Sequence, residues 1–248
     1  MVYTMVGLVV GIIMGLTGAG GAMISIPLFL HFLNTSLKEA TVLSLVAVVL
    51  GTAINLIGQA SKANKQIILF FSLAGALTNY LSLPLKAKTP DELIAGILSC
   101  IGIYSIWSIW NKKKEINSQE KTNLIIPKAL MAGSFVGLLT TLTGLGGGVI
   151  LIPILINFFG NSYEKALPTS LGTILLISLT SFIFQSATAF ELITLPQLSL
   201  MTAGAVLAFI LLKLLIKKVE DQKILLIRKF VFTAVTIYSI ISVIYKAI

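Results

Sequence analysis

Long runs of uncharged, apolar residues constrain this chain more than any other feature of its sequence. Residues 93–110 and 198–212 contain no charged side chain. Of the 248 residues, 56% are hydrophobic and only 11% are charged, against about 45–50% and about 25% in a soluble domain. So few charges cannot cover a water-facing surface. In lipid, backbone N–H and C=O groups must pair within helices or a closed barrel. Barrel strands alternate apolar and polar positions over about ten residues, and these runs do not alternate. An all-α polytopic membrane protein is therefore expected, with membrane lipid as its first partner.

Ten apolar segments can be drawn: residues 1–16, 21–33, 40–59, 67–83, 92–110, 128–142, 147–159, 166–189, 195–216 and 224–245. Six approach or exceed the roughly 17–25 residues a helix needs to span a bilayer. The pairs flanking two glycine clusters are shorter. The first run lacks a basic start and a small-residue cleavage site, so it reads as a membrane segment rather than a cleaved signal peptide. The single cysteine, Cys100, excludes an intramolecular disulfide and does not report a redox compartment.

The chain repeats itself. Leu16-Thr17-Gly18-Ala19-Gly20-Gly21 matches Leu142-Thr143-Gly144-Leu145-Gly146-Gly147 at an offset of 126, which holds without a gap from 7–45 against 133–171, with 16 identities in 39 positions. Gly11 with Gly137, Pro27 with Pro153, Ala40 with Ala166 and Ser44 with Ser170 are among them. Weaker echoes link Gly75-Ala76 with Gly204-Ala205, and Ile103-Tyr104-Ser105-Ile106 with Ile237-Tyr238-Ser239-Ile240. Membrane composition explains matching leucines, but not glycine, proline and serine at a fixed offset. Two homologous halves are expected, 1–110 and 128–248, joined by a linker at 111–127. Lys112-Lys113-Lys114-Glu115 makes that linker basic and water-exposed, and Trp107 and Trp110 before it fit an aromatic belt at headgroup depth.

A net charge of +9 invites a nucleic-acid reading. The lysines, however, lie between apolar runs rather than on one basic face, without zinc-finger spacing or a basic helix. Nucleic acid is not an expected partner. The same lysines discriminate between two layouts. If each short pair is a hairpin, returning halfway or crossing twice, one side receives loops 60–66 and 111–128, the loop holding Lys165, and 213–229, with 14 basic residues; the other receives Lys38, Lys86, Lys88 and Lys246. If each pair is one broken crossing, the sides hold 10 and 8. The positive-inside bias favours hairpins and makes the basic side cytoplasmic. Both termini then face outside and the two repeats have inverted topology, each a glycine-broken short-helix hairpin followed by about three long transmembrane helices. Inverted repeats recur in secondary transporters, whose sites form near the midplane from interrupted helices.

Gly7 with Gly11, and Gly133 with Gly137, are spaced for close helix packing. Thr17-Gly18-Ala19-Gly20-Gly21 and Thr143-Gly144-Leu145-Gly146-Gly147 fit packing less well, because consecutive glycines are poor helix-interior residues. A helix broken at membrane depth exposes polar backbone, tolerated only inside protein or at an aqueous cavity. The next helix starts there with free N–H groups at the positive end of its dipole, which attracts an anion without lysine or arginine. Inverted halves would point two such ends at a shared centre. Thr17 and Thr143 are candidate hydroxyl donors, and Pro27 and Pro153 candidate kinks or stops for the short helices. A structural break without ligand contact is the competing reading. Neither cluster is a phosphate loop, since G-x-x-x-x-G-K-[ST] is absent.

Polar residues inside long apolar segments are further candidates. Ser44, Thr169 and Ser170 divide evenly between site and packing, with Thr173 beside them, whereas Asn55, Gln59 and Gln185 read first as interhelical hydrogen-bonding groups. His31 has no second metal-ligating residue at a suitable spacing, so it reads as a hydrogen-bonding residue rather than a metal ligand. Glu39, Asp91, Glu164 and Glu191 lie near segment boundaries, where a proton relay would not place them; proton or other ion coupling stays open. No nucleophile–base pair or metal set suggests an enzyme, and no cofactor is expected.

At these duplicated segments the sequence resembles the TauE/SafE family, also called the sulfite exporter or toluene-sulfonate uptake permease family. The resemblance rests on Gly15 to Gly21 with Pro27-Leu28, on Leu142 to Gly148 with Pro153-Ile154-Leu155, and on Ala40 to Leu45 and Ala166-Leu167-Pro168-Thr169-Ser170-Leu171. It covers essentially the whole chain. Ala22 stands where a third glycine would be expected, and Thr41-Val42-Leu43-Ser44 departs from the Pro-Thr-Ser pattern, so the two sites need not contribute equally. The resemblance implies transport of sulfur-containing anions, such as sulfite, sulfonates or sulfoacetate, across a prokaryotic cytoplasmic membrane, inward or outward. An anion channel is the alternative, and a non-transporting membrane scaffold a more distant one.

Overall fold

The computed structural model describes residues 2–17, 21–57, 59–111, 125–192, 194–216 and 221–247. Among them run ten helices: α1 (Val2–Thr17), α2 (Gly21–Phe32), α3 (Leu37–Leu56), α4 (Lys65–Lys88), α5 (Asp91–Trp110), α6 (Ile125–Thr143), α7 (Gly148–Asn157), α8 (Tyr163–Leu192), α9 (Leu195–Ile216) and α10 (Asp221–Ala247), with one 3-10 turn, Ala60–Lys62. No strand occurs among the described residues. Six of these helices, α3, α4, α5, α6, α8 and α10, are long and apolar enough to cross a membrane. The chain is an all-α polytopic membrane protein.

Local chemistry sets several helix boundaries. Ser36 and Glu39 form a reciprocal capping box that starts α3, the arrangement that satisfies two end N–H groups at once. Asn64 Oδ1 accepts the N–H groups of Gln66 and Ile67 at 3.1 and 3.2 Å to start α4. Pro90 precedes α5, with Asp91 and Glu92 in its first turn, where carboxylates complement the dipole. Pro27 and Pro153 lie inside α2 and α7 rather than at their ends, so the short helices run past them. Basic linker residues 112–124 fall outside the described residues.

Helix α4 is inside out relative to a soluble helix. Leu69, Leu73, Leu77, Tyr80, Leu81 and Leu85 are all more than half exposed, whereas Ser72, Asn79, Ser82 and Lys86 are buried. Leucines that face outward cost nothing in lipid, while polar groups must find partners within the bundle.

Close backbone approaches hold the bundle together. Gly133 packs its Cα against the Phe71 backbone, Gly137 against Gly75, and Thr141 Oγ1 donates to Asn79 Oδ1 at 3.0 Å. These three contacts, one turn apart on each helix, make α4 and α6 parallel neighbours. At the other large contact Gly11 sits against the Ala205 backbone and Gly204 against Thr4, joining α1 to α9. The sequence echo of Gly75-Ala76 in Gly204-Ala205 is thus a matched pair of helix crossings, as small residues permit.

Other features recur at the same offset. Asn34 and Gly160, 126 residues apart, take positive φ angles of 50° and 62°. Thr35 Oγ1 donates to Phe29 O at 3.1 Å, and at the equivalent turn the Asn161 N–H donates to Leu155 O at 3.1 Å. Lys128 Nζ near the start of α6 donates to Phe158 O just past α7 at 2.9 Å, so α6 and α7 form a hairpin that returns to the same end of the bundle. Helices α5 and α10 run antiparallel, since Gly102 lies on Thr236 and Ile240 while Trp110 Nε1 donates to Thr233 Oγ1 at 3.0 Å. Helices α3 and α8 are also antiparallel: Val48 and Ile174 meet beside Gly146, and the Asn64 N–H beyond α3 reaches Thr169 Oγ1 near the start of α8 at 2.9 Å.

Candidate functional site

Helix α6 ends where the Gly144 N–H bonds Thr140 O at 2.9 Å. The chain then turns through Gly144, Gly146 and Gly147 with φ of 68°, 64° and 71° before α7 begins at Gly148. Only glycine takes three such angles in four residues without strain, which is why the sequence breaks here. Residues 141–148 are all buried. The loop wedges between α3 and α8: Gly144 lies on Thr41 O, and a methyl group at Gly146 would come within 2.5 Å of Ser178 Oγ and 2.6 Å of Val48 Cγ1.

Ser44 Oγ faces the carbonyls of Thr41 at 2.8 Å and Gly144 at 2.9 Å, clamping the loop to α3. Thr143 Oγ1 donates to Leu139 O at 2.6 Å and faces the Leu145 N–H at 3.4 Å, so its proton is committed to its own helix. What remains are donors without acceptors. Among the described residues the N–H groups of Gly146 and Gly147 meet no acceptor, and they sit at the positive end of α7. The hydroxyls of Thr140 and Ser178, both fully buried, also have no hydrogen-bond partner among the described residues. Ser178 abuts Gly146, and Thr140 lies beside Gly147. Buried unpaired hydroxyls are uncommon because each costs about 1–3 kcal/mol. Two at one helix N-terminus make a cluster suited to an anion. The crevice bordering the loop at Thr143, Leu145, Gly147 and Ile150 is water-sized, so a larger ligand requires the helices to part.

The other expected site residues divide. Gly18, Ala19 and Gly20 lie outside the described residues, while Thr17 ends α1 and Gly21 begins α2. Ser170 is fully buried one turn before Ile174 and bonds Leu167 O at 2.7 Å. Thr169 turns away from the glycine loop to the Asn64 N–H. Asn55 and Gln59 bond backbone carbonyls of α3 at 2.9 and 3.1 Å. His31 is exposed and pairs with Ser242 Oγ at 2.8 Å.

Sequence reasoning passed over α4. Its buried face carries Ser72, Gly75, Asn79, Ser82 and Lys86 at alternating spacings of three and four residues, the period of one helix face, and this spacing was the available signal. Asn79 Nδ2 donates to Ile177 O at 2.9 Å and Thr180 Oγ1 at 3.1 Å. Lys86, which the charge pattern assigns to a loop, lies inside α4. Its Nζ donates to Thr41 Oγ1 at 2.8 Å and Gln185 Oε1 at 2.7 Å.

Long lipid-facing helices around a buried, glycine-broken helix end define a multi-pass helical membrane protein with an internal polar break. The chain belongs to the sulfite exporter TauE/SafE family, which it matches across residues 3–242. Its general function is therefore that of a permease carrying an anion across a membrane. Neither a curated protein nor a solved structure matches the chain.

Proposed function

We propose that the protein is a secondary transporter moving a small oxyanion, such as sulfite, a sulfonate or a related organosulfur anion, by alternating access across a prokaryotic cytoplasmic membrane. The observation that carries this reading is the convergence of unpaired donors at Gly144–Gly147: two backbone N–H groups and the hydroxyls of Thr140 and Ser178. Such donors stabilise negative charge where water and lipid do not compete. The family description supports the sulfur oxyanion as substrate class.

In this reading 1–110 and 128–248 are inverted repeats, and 111–127 is a cytoplasmic linker. The antiparallel runs of α3 against α8 and of α5 against α10 support the inversion, because the repeat makes these helices equivalent. Thr17, Gly18, Ala19, Gly20 and Gly21 then form the counterpart of the loop from Thr143 to Gly147, with Ser170 the counterpart of Ser44 and Thr169 beside it. A channel needs a continuous path; a loop bordered by a water-sized crevice favours a gated carrier instead.

Replacing Thr140 by Val and Ser178 by Ala tests the site without disturbing its packing. Neither hydroxyl holds the protein together, so the double variant should keep or slightly raise the wild-type melting temperature. Its KM for labelled sulfite or methanesulfonate in proteoliposomes should rise about tenfold. An unchanged KM for both anions would contradict the site.

A further inference from the structure

We propose that Lys86 supplies the countercharge for an anion in the transport path, forming with Thr41 and Gln185 a second subsite for an oxyanion head group, in series with the glycine loop. This inference rests on the anion-transport reading above.

Lys86 is only 7% exposed. Its ammonium has three N–H donors, of which two are taken by neutral acceptors, the Thr41 hydroxyl and the Gln185 amide oxygen. The third meets no acceptor, and no carboxylate pairs with the lysine, among the described residues. A buried charge is ordinarily paired, because desolvation is otherwise uncompensated. The nearby charges do not supply that partner. Lys38 Nζ donates to Ala87 O at 3.1 Å, adding a second cation at the same end of α4. Glu39 is turned back onto the Ser36 N–H at 2.7 Å. Asp91 begins the next helix; its charge acts on Lys86 through space, but it makes no ion pair among the described residues. A mobile anion is the partner that would complete the set.

The geometry also connects Lys86 to the loop. Thr41 touches both, its hydroxyl taking the lysine N–H and its carbonyl lying on Gly144. One turn further along α3, Ser44 contacts Gly144 O. On the facing helix Gln185 Nε2 donates to Ser181 Oγ at 2.9 Å, and Ser178 beyond it abuts Gly146. Polar side chains thus recur at one-turn spacing on α3, at Thr41 and Ser44, and on α8, at Gln185, Ser181 and Ser178, between the ammonium and the loop. An anion held at Lys86 takes the open third N–H and adds an opposite charge to the site, while the bonds to Thr41 and Gln185 tie α3, α4 and α8 together. Anion binding at the lysine is thereby linked to the packing of three helices.

The test uses the full chain in proteoliposomes with labelled sulfite and labelled methanesulfonate, together with the rise in melting temperature each anion produces in detergent. Lys86→Met should raise KM about tenfold or more and reduce the anion-induced rise at a given anion concentration, whereas Lys86→Arg should stay within a few-fold of wild type. Gln185→Leu, which keeps the charge and removes one wall, should raise KM less than Lys86→Met, and it stands in if the Met variant cannot be recovered. A purely structural lysine would lower the melting temperature of the variants with KM and the anion-induced rise unchanged, and that result overturns the proposal while leaving the transport reading intact. A wild type that neither takes up nor is stabilised by either anion overturns both.

Discussion

At Gly146 a single hydrogen atom separates a packed loop from a clash. Its φ of 64° and the nearness of Ser178 Oγ and Val48 Cγ1 leave no room for a methyl group. Gly146→Ala should cost about 1–3 kcal/mol, and the variant that still folds should show reduced uptake because the loop and the Ser178 hydroxyl are both displaced. Gly96 is the control: nothing lies within 4 Å of a methyl group there, so Gly96→Ala in α5 should be neutral or stabilise by about 0.5–1 kcal/mol. Equal losses at both positions would remove the special status of the loop. The glycines of this loop were legible in the sequence because no other residue fills such a break. Lys86 was not, since a lysine near the end of an apolar run looks solvated until the helix is known to continue through Pro84 to Lys88. Nor could sequence tell that Thr143 spends its proton on Leu139 while Thr140, three residues earlier, keeps its own.

Helix α4 shows what a membrane element needs. Its leucines face lipid and contribute no hydrophobic drive to folding, so close packing and hydrogen bonds must hold its inner face. The crossing with α6 depends on Gly137 meeting Gly75 backbone to backbone. Gly137→Leu should force the two helices apart and lower stability by about 1–3 kcal/mol, measured as a drop in melting temperature, with a like effect for Gly11→Leu at the α1 and α9 crossing. A variant as stable as wild type would show that the crossing tolerates separation. Sequence spacing identified Gly7 with Gly11 and Gly133 with Gly137 as packing positions, and Gly11, Gly133 and Gly137 lie in such contacts. It gave no partner helix, because the pairing of α1 with α9 and of α4 with α6 joins residues far apart in the chain. The polar face of α4 was hidden for a related reason: serine, glycine and asparagine three and four residues apart look like ordinary packing until their neighbours are known.

For the molecule as a whole, the exchange of halves is the central idea. Contacts recur in matched sets, α1 with α9 beside α4 with α6, and α2 with α10 beside α5 with α7. The ten-segment division and the 126-residue repeat were legible in the sequence, whereas the tight packing around the glycine loop was not, since composition does not say which helices meet. In the proposed topology the lysine-rich loops face the cytoplasm. In a Cys100→Ser background, Asn34→Cys should react with an impermeant thiol reagent added outside intact cells and Ser118→Cys should not; the reverse pattern would overturn the topology. The most direct test of the account is uptake of labelled sulfite and labelled methanesulfonate into proteoliposomes, with and without unlabelled anion inside and with an imposed pH gradient as a separate variable. Saturable uptake of at least one of them, accelerated by unlabelled anion on the far side, is expected of a carrier with alternating access. Uptake that rises linearly with concentration, or none above protein-free vesicles, would contradict it.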